Sequence, residues 1–331
     1  MSMVYLESPS TDPAFNLALE QFVFDEMPRD QEYFMLWQNK NAIIVGKYQN
    51  TAAEINAAYV KEHDIQVIRR LSGGGAVYHD LGNINFTFIT DAEHGETIDL
   101  AVFCQPVVKA LAQLGVTAEI TGRNDITIEG QKFSGNAQYV RQGRIMHHGT
   151  IMFDSNLSVV AQALNVPKDK IESKGIKSVR SRVTNVKPYV KGDIGIREFW
   201  DALKRYMVEE RSLPQHTFTP GELARVEAIR AERYGTWEWN FGRSPRYSIQ
   251  KERRVEGCGR LEVSYEVDKG VITAFAVYGD FFGNAEPEEL IQRLIGRKPE
   301  EADLREALAG VPVDRYFKNL TLDELIAIIL Q

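Results

Sequence analysis

The sequence has little cysteine, no long apolar run and no surplus of positive charge. Only two cysteines occur in 331 residues, Cys104 and Cys258, far apart and without a CxxC or a paired histidine. Neither a disulfide framework nor a zinc site is indicated. No stretch approaches the roughly 18 uninterrupted apolar residues of a membrane span. The segment Met1 to Glu7 has neither a basic region nor the apolar segment of a secretory signal. The expectation is a cytoplasmic protein with no membrane partner. A net charge of −7 argues against a nucleic-acid binder, which needs cations to neutralise phosphates. Several motifs are also missing. Without GxxxxGKS/T or GxGxxG, P-loop and Rossmann readings are disfavoured; there is no HExxH metal pair and no GxSxG nucleophile elbow.

At roughly 150 residues per domain the length suggests two units. Asp12 before Pro13 reads as a helix start, with Phe15, Leu19, Phe22 and Val23 at helical spacing over 13–26. Phe34–Trp37 and Ile43–Gly46 read as buried strands joined by a polar turn, followed by a helix near 52–63 and a strand at 65–69. In a strand at 84–88, Ile84, Phe86 and Phe88 face one way and Asn83, Asn85 and Thr87 the other. Then come a helix at 97–114, strands at 117–120, 125–128, 132–140 and 144–153, and helices near 156–164, 195–209 and 220–234. The aromatics, glycine and proline of Trp237 to Pro245 break the helical pattern and predict a boundary, giving units 1–244 and 245–331. The second unit reads as three strands, near 246–256, 260–267 and 271–278, followed by helices near 286–295, 300–309 and 321–330. Hairpins with interspersed helices make both units α+β.

Three consecutive glycines, Gly73 to Gly75, follow Arg69, Arg70, Leu71 and Ser72. Such a segment lets a backbone approach a ligand and expose N–H groups to an anion, and guanidinium forks pair with oxyanions. A tight strand connection explains the glycines equally well. Around Lys132, a two-residue turn at Glu129-Gly130 pairs Ile128 with Gln131, Thr127 with Lys132, Ile126 with Phe133 and Asp125 with Ser134. That register gathers Asp125, Thr127, Lys132 and Ser134 on one face, which suits phosphate and a divalent ion, or a solvated surface. Adjacent His147 and His148 on a strand point oppositely, so at most one serves a pocket. Between Lys168 and Lys191 lies a basic island, eight basic residues against two acidic ones. By itself this is as readily a solvated face as a binding site.

Taken together, the runs RRLSGGGAVYHD (69–80), Gly82-Asn83 with 85–88, Gly122-Arg123-Asn124-Asp125, KFSGNA (132–137), His147 to Thr150, and KGIKSVRSRVTN (174–185) resemble the bacterial lipoate-protein ligase A family, in a superfamily that also contains biotin protein ligases. The resemblance spans nearly the whole chain. It implies a large mixed-sheet catalytic domain with a smaller accessory domain that reorients between half-reactions. It also implies an ATP-dependent enzyme that converts free lipoate to lipoyl-AMP, with magnesium, and passes the lipoyl group to a lysine of a carrier. Implied carriers are 2-oxoacid dehydrogenase E2 subunits and the glycine cleavage H protein.

By the same resemblance, Lys132 holds the phosphate and reacting carboxyl oxygen, and Asp125 is its polar or magnesium-associated neighbour. Arg70, Ser72, Gly73, Gly74 and Gly75 border the lipoyl and phosphate positions, Val77 and Tyr78 the adenine, and Asn83 the phosphate. Ser134, Gly135 and Ala137 belong to the same hairpin site, and His148, Gly149 and Thr150 line the pocket. Lys174, Ser178, Arg180 and Arg182 fall in the adenylate-binding loop, which would give the basic island a function. The alternative is an ATP-independent transferase that moves octanoyl or lipoyl groups through a cysteine thioester. It is disfavoured because Cys104 and Cys258 lie outside every motif.

Overall fold

Asp12 caps the helix Pro13–Glu26, its carboxylate accepting from Phe15 N at 2.7 Å with proline in the first turn. The structure, a computed structural model, describes residues 2–91, 100–121, 125–164, 183–242, 249–268 and 270–330. The stretch Gly122 to Asn124, the start of the helix predicted at 97, residues 243–248 at the expected boundary, and Lys174, Ser178, Arg180 and Arg182 lie outside them.

Strands β1 (Ser2–Glu7), β2 (Gln31–Trp37), β6 (Asn83–Asp91), β7 (Glu119–Thr121), β8 (Asp125–Ile128), β9 (Gln131–Arg141) and β10 (Arg144–Met152) form a seven-stranded sheet in the order β1-β2-β6-β10-β9-β8-β7. It is mixed, because β1 and β2 run parallel and the other pairs antiparallel. A small sheet of β4 (Gln66–Arg69), β3 (Ala42–Val45) and β5 (Val77–His79) carries the glycine segment between β4 and β5. The expected neighbours β2 and β3 therefore belong to different sheets, and the polar residues between them form a crossing rather than a hairpin.

Alternation along β6 follows the sequence reading. Ile84, Phe86 and Phe88 pack with Phe34, Leu36 and the helix Leu100–Gln113 on one side of the large sheet. On the other side lie Trp37, Met35 and the helix Pro13–Glu26. Asn83, Asn85 and Thr87 are buried on this second side as well. Buried amides need partners, so a polar row under a helix marks a place built for something other than packing.

The helix expected near 52–63 is two short pieces, Thr51–Glu54 and Ala57–Glu62. Those expected at 195–209 and 220–234 begin as α-helices and end in π-turns at Arg205–Glu209 and Arg230–Tyr234. The C-terminal unit is a sheet of β11 (Ile249–Val255), β12 (Gly259–Asp268) and β13 (Val271–Gly279), backed by Glu288–Leu294, Glu301–Ala307, Val313–Tyr316 and Leu322–Leu330 around its own core. It touches the larger unit at several points. Gly279 N donates to Tyr48 O at 3.0 Å, the Tyr48 ring stacks on Phe281 at 4.7 Å, and Lys47–Glu286 and Arg260–Glu54 are ion pairs. No helix among the described residues is long and apolar enough to cross a membrane.

Candidate functional site

One row of residues crosses the large sheet and forms the floor of a cavity of about 280 Å³. Trp37 on β2 is paired with Asn85 on β6, and Asn85 with Thr150 on β10. Thr150 Oγ1 accepts from Gly135 N at 3.1 Å, and Gly135 on β9 is paired with Asp125 on β8. All five border the cavity. Directly paired residues share a face, so neighbouring strands present this row together.

The predicted hairpin turn is present, with Glu129 at φ 50° and Gly130 at φ 76°, both in the left-handed region a two-residue turn requires. Ile128 pairs with Gln131 and Thr127 with Lys132 as expected. Beyond them a bulge shifts the register, so that Ile126 meets Ser134 and Asp125 meets Gly135. The extra residue exchanges the faces. Ser134 is fully buried, accepting from Asn136 Nδ2, while Gly135 takes its place in the cavity. A Cβ on Gly135 would lie 3.0 Å from Lys132 Nζ. The ammonium thus sits over Gly135 and pairs with Asp125 Oδ1 at 2.7 Å. Lys132 also meets the end of the basic segment, where Thr184 N donates to Lys132 O at 2.9 Å.

The two arginines part company. Arg69 is fully buried and is a structural clamp. Its guanidinium donates to the carbonyls of Gly46, Lys47, Gln49, Trp239 and Asn240 and to Thr51 Oγ1. It therefore fastens the short helix Trp237–Asn240 to the small sheet, and the expectation that the arginine pair acts jointly on an anion is corrected. Arg70 faces the cavity. Four hydrogen bonds, to Ser72 Oγ and to the carbonyls of Ile44, Gly73 and Gly75, occupy most of its five N–H groups. Burial, with Arg69 adding repulsion, lowers its pKa to about 10. Arg70 thus holds the glycine turn in shape as well as supplying charge.

The glycines are also a docking seat. Gly74 N donates to Phe281 O at 3.2 Å, and a Cβ on Gly73 would lie 2.4 Å from that oxygen. Gly74 has φ +90°, which disfavours any other residue. Gly74 and Gly75 border the cavity, and beside them the second unit contributes Arg254 and Asp280. The expected tight connection is present, with one glycine N–H given to the neighbouring unit.

Ser72 does not border the cavity. Its Oγ lies 2.6 Å from His148 Nε2, and His148 Nδ1 lies 3.0 Å from Glu20 Oε1. The geometry is that of a Ser-His-acid triad, yet the buried Ser72 hydroxyl is tied to Arg70 Nε at 2.9 Å. The chain braces Arg70 and does not present a nucleophile. His148 and Thr150 face the cavity. A Cβ on Gly149, between them, would turn the other way and meet Phe86 and Asn136 Oδ1.

His147 also points away, stacked on Phe103 at 5.0 Å, and burial pushes its pKa well below the usual value. One histidine of the adjacent pair serves the pocket, as the alternation required. Alternation likewise divides Val77 from Tyr78. Val77 borders the cavity; Tyr78 packs in the opposite cluster and donates to Asn41 Oδ1 at 3.1 Å. Asn83 is buried beneath the floor and donates to Asn85 Oδ1 at 2.9 Å.

Sequence reasoning missed Leu17, Trp37, Ile44 and Ala76 on the walls, together with His79, Asn85 and Asn136. His79 lay in a quoted motif and Asn85 on the polar side of β6; the signal was present for both. Nothing in the sequence marked Arg254 or Asp280. Cys104 and Cys258 are both buried, and neither borders the cavity.

The sequence model described as the lipoyl protein ligase A/B catalytic domain matches residues 12–208, and that of the bacterial lipoate protein ligase C-terminus matches 244–329. The lipoate-protein ligase LplJ of Bacillus subtilis is 42% identical over 331 residues, covering 99% of this chain and 100% of the relative. Among solved structures, P. falciparum LipL1 in complex with lipoate superposes with a TM-score of 0.79 at 26% identity, covering 100% of both chains. A lipoate-protein ligase A bound with ATP gives 0.61 at 27% identity, covering 73% of this chain and 98% of the other.

Proposed function

The chain belongs to the lipoate-protein ligases, and from that premise we propose that it activates free lipoate with ATP to lipoyl-AMP and transfers the lipoyl group to a carrier lysine. The observation that carries the reading is the Lys132 ammonium over Gly135, beside Asp125, with Arg70 and the glycine turn bordering the same cavity. In the first step a lipoate carboxylate oxygen attacks the α-phosphorus. The bond to the bridging oxygen breaks and pyrophosphate leaves with its electron pair. Two anions must be brought together, so cations and N–H donors fixed in place lower the barrier. In this reading Lys132 offsets charge on the reacting oxygen and the α-phosphate. In the second step the carrier amine attacks the acyl carbon, loses a proton, and AMP departs.

Magnesium on a nucleotide takes most of its oxygen ligands from phosphates and water, so the single carboxylate of Asp125 fits it. When bound, the ion would offset charge on the phosphates. Among the described residues no cluster of three or more histidine, cysteine or carboxylate side chains forms a dedicated metal site.

The division into 1–244 and 245–331, with the second unit serving adenylation, belongs to the same proposal. Arg254 at the cavity supports it. Lys174, Ser178, Arg180 and Arg182 are proposed to bind the adenylate; Val183 and Thr184, which follow them in the chain, lie beside Lys132. E2 subunits and the glycine cleavage H protein are the proposed carriers, modified in the cytoplasm. The test is incubation with ATP, magnesium and lipoate, followed by mass spectrometry of the bound fraction. Lipoyl-AMP is expected. Carrier lipoylation that proceeds without ATP would sink the reading in favour of the thioester transferase.

A further inference from the structure

Two buried donors at one end of the cavity have no acceptor among the described residues. They are His79 Nε2 and Asn85 Nδ2. Which ring nitrogen of His79 carries the proton follows from its neighbours. Asn16 Nδ2 donates to the carbonyls of Ser10 and Gln38, so that atom is an amide nitrogen. It also donates to Asn39 Oδ1 at 2.9 Å. Asn39 Nδ2 must then be the group facing His79 Nδ1 at 3.1 Å, which makes Nδ1 an acceptor. Burial keeps the ring neutral, its pKa lowered to about 3. A neutral imidazole that accepts at Nδ1 donates at Nε2. His79 is 3% exposed, so its free N–H meets a cavity ligand or nothing.

Asn85 is 1% exposed, with its Oδ1 taken by Asn83 and its Nδ2 left over. The Arg70 charge is near enough to act on His79, and apolar side chains also line the cavity. Leu17, Trp37, Ile44 and Val77 form the walls, and the one indole N–H is already given to Thr87 Oγ1 at 2.9 Å. Asn85 stands two strands from Gly135, over which the Lys132 ammonium sits. At strand spacing that is about 10 Å. An eight-carbon acid with its carboxyl at Lys132 therefore brings its far end to His79 and Asn85. A hydrocarbon tail offers nothing to these donors, whereas a ring disulfide offers sulfur lone pairs.

We infer that His79 Nε2–H and the Asn85 amide donate to the sulfurs of a bound dithiolane ring, so that this chain selects the sulfur-bearing acid over acids of equal length without sulfur. The inference rests on the ligase reading above and identifies the substrate preference of that site. A site with buried donors discriminates against an analogue that leaves them unpaired.

The test measures kcat/KM for adenylate formation by the full chain with three acids: lipoate, octanoate, and the carbocyclic analogue in which both sulfurs are methylene groups. The carbocycle keeps the shape and removes only the acceptors. Lipoate is expected to exceed it by about ten-fold. In Asn85→Leu and in His79→Phe that advantage should shrink toward one. Equal kcat/KM for lipoate and carbocycle in the native enzyme overturns the assignment, whether or not the variants fold. So does a native ratio that survives in both variants. If none of the three acids forms an adenylate, the ligase reading itself fails, and this inference with it.

Discussion

The two ends of the cavity are made in opposite ways. At one, Lys132, Asp125, Arg254 and Asp280 gather charge from two units, and Lys132 and Asp125 are each about one-third exposed. At the other, Trp37, His79 and Asn85 are buried and neutral, each with one polar atom held by an amide or a hydroxyl, while His79 Nε2 and Asn85 Nδ2 are left over. The charged end is assembled across the contact between the two units. The neutral end is fixed by the helix Pro13–Glu26 and the sheet beneath it. On the proposed reading, activation and selection of the acid fall to different physical devices, with the Ser72–His148–Glu20 brace and Arg70 between them.

Perturbing the seam at the charged end should have the largest effect. In Gly73→Ala the new Cβ meets the Phe281 carbonyl at 2.4 Å, and backbone cannot swing aside as a side chain can. We expect adenylate formation to fall by about 100-fold and transfer from preformed lipoyl-AMP to fall much less, as read by single-turnover assays. Equal losses in both steps would mean that the second unit does not serve adenylation alone.

Arg254→Gln is a gentler probe of the same end. Its guanidinium borders the cavity 3.9 Å from Asp280 Oδ2; on the proposed reading it meets phosphate, so the KM for ATP should rise about ten-fold with kcat less affected. A purely structural Arg254 would leave the KM for ATP where it was.

The neutral end should reveal itself through pH. His79 has a folded pKa near 3, below the ordinary histidine value, so the unfolded chain binds more protons between the two values. Stability then falls as pH drops below about 6.5, by about 1.4 kcal/mol per unit while His79 stays neutral. Urea unfolding at pH 7.5 and 5.5 should show that loss, and His79→Gln should shrink it by about 1 kcal/mol. A variant with the native pH slope would contradict the neutral assignment. Smallest of all, Cys104→Ser should change activity less than about two-fold and leave ATP essential. The Cys104 thiol is buried 4.0 Å from His147 Nε2, away from the cavity, and buried cysteine behaves as a small hydrophobe.

Much of this was legible from local pattern. The Asp12–Pro13 helix start, the Glu129-Gly130 turn, the opposed histidines and the split faces of β6 all follow from rules that act over a few residues. Where the reading failed, a non-local cause intervened. The bulge that exchanges Ser134 for Gly135 is set by how Phe133 and Ile126 both reach the core, which hairpin alternation alone does not foresee. Arg69 and Arg70 look alike in sequence, and only the carbonyls around Arg69 assign it to the frame. Arg254 and Asp280 reach the cavity by docking of the second unit, a contact between residues far apart in the chain. Orphaned donors such as His79 Nε2 are defined by what their neighbours already bind, and no motif encodes that.

The most direct test of the division between the two ends is the rate of adenylate formation by Lys132→Ala with lipoate and with octanoate. The account predicts that both rates fall by about 100-fold or more while their ratio stays native, since the ammonium activates either acid and selects neither. A Lys132→Ala enzyme that accumulates adenylate at the native rate, or whose preference between the acids collapses, would contradict it.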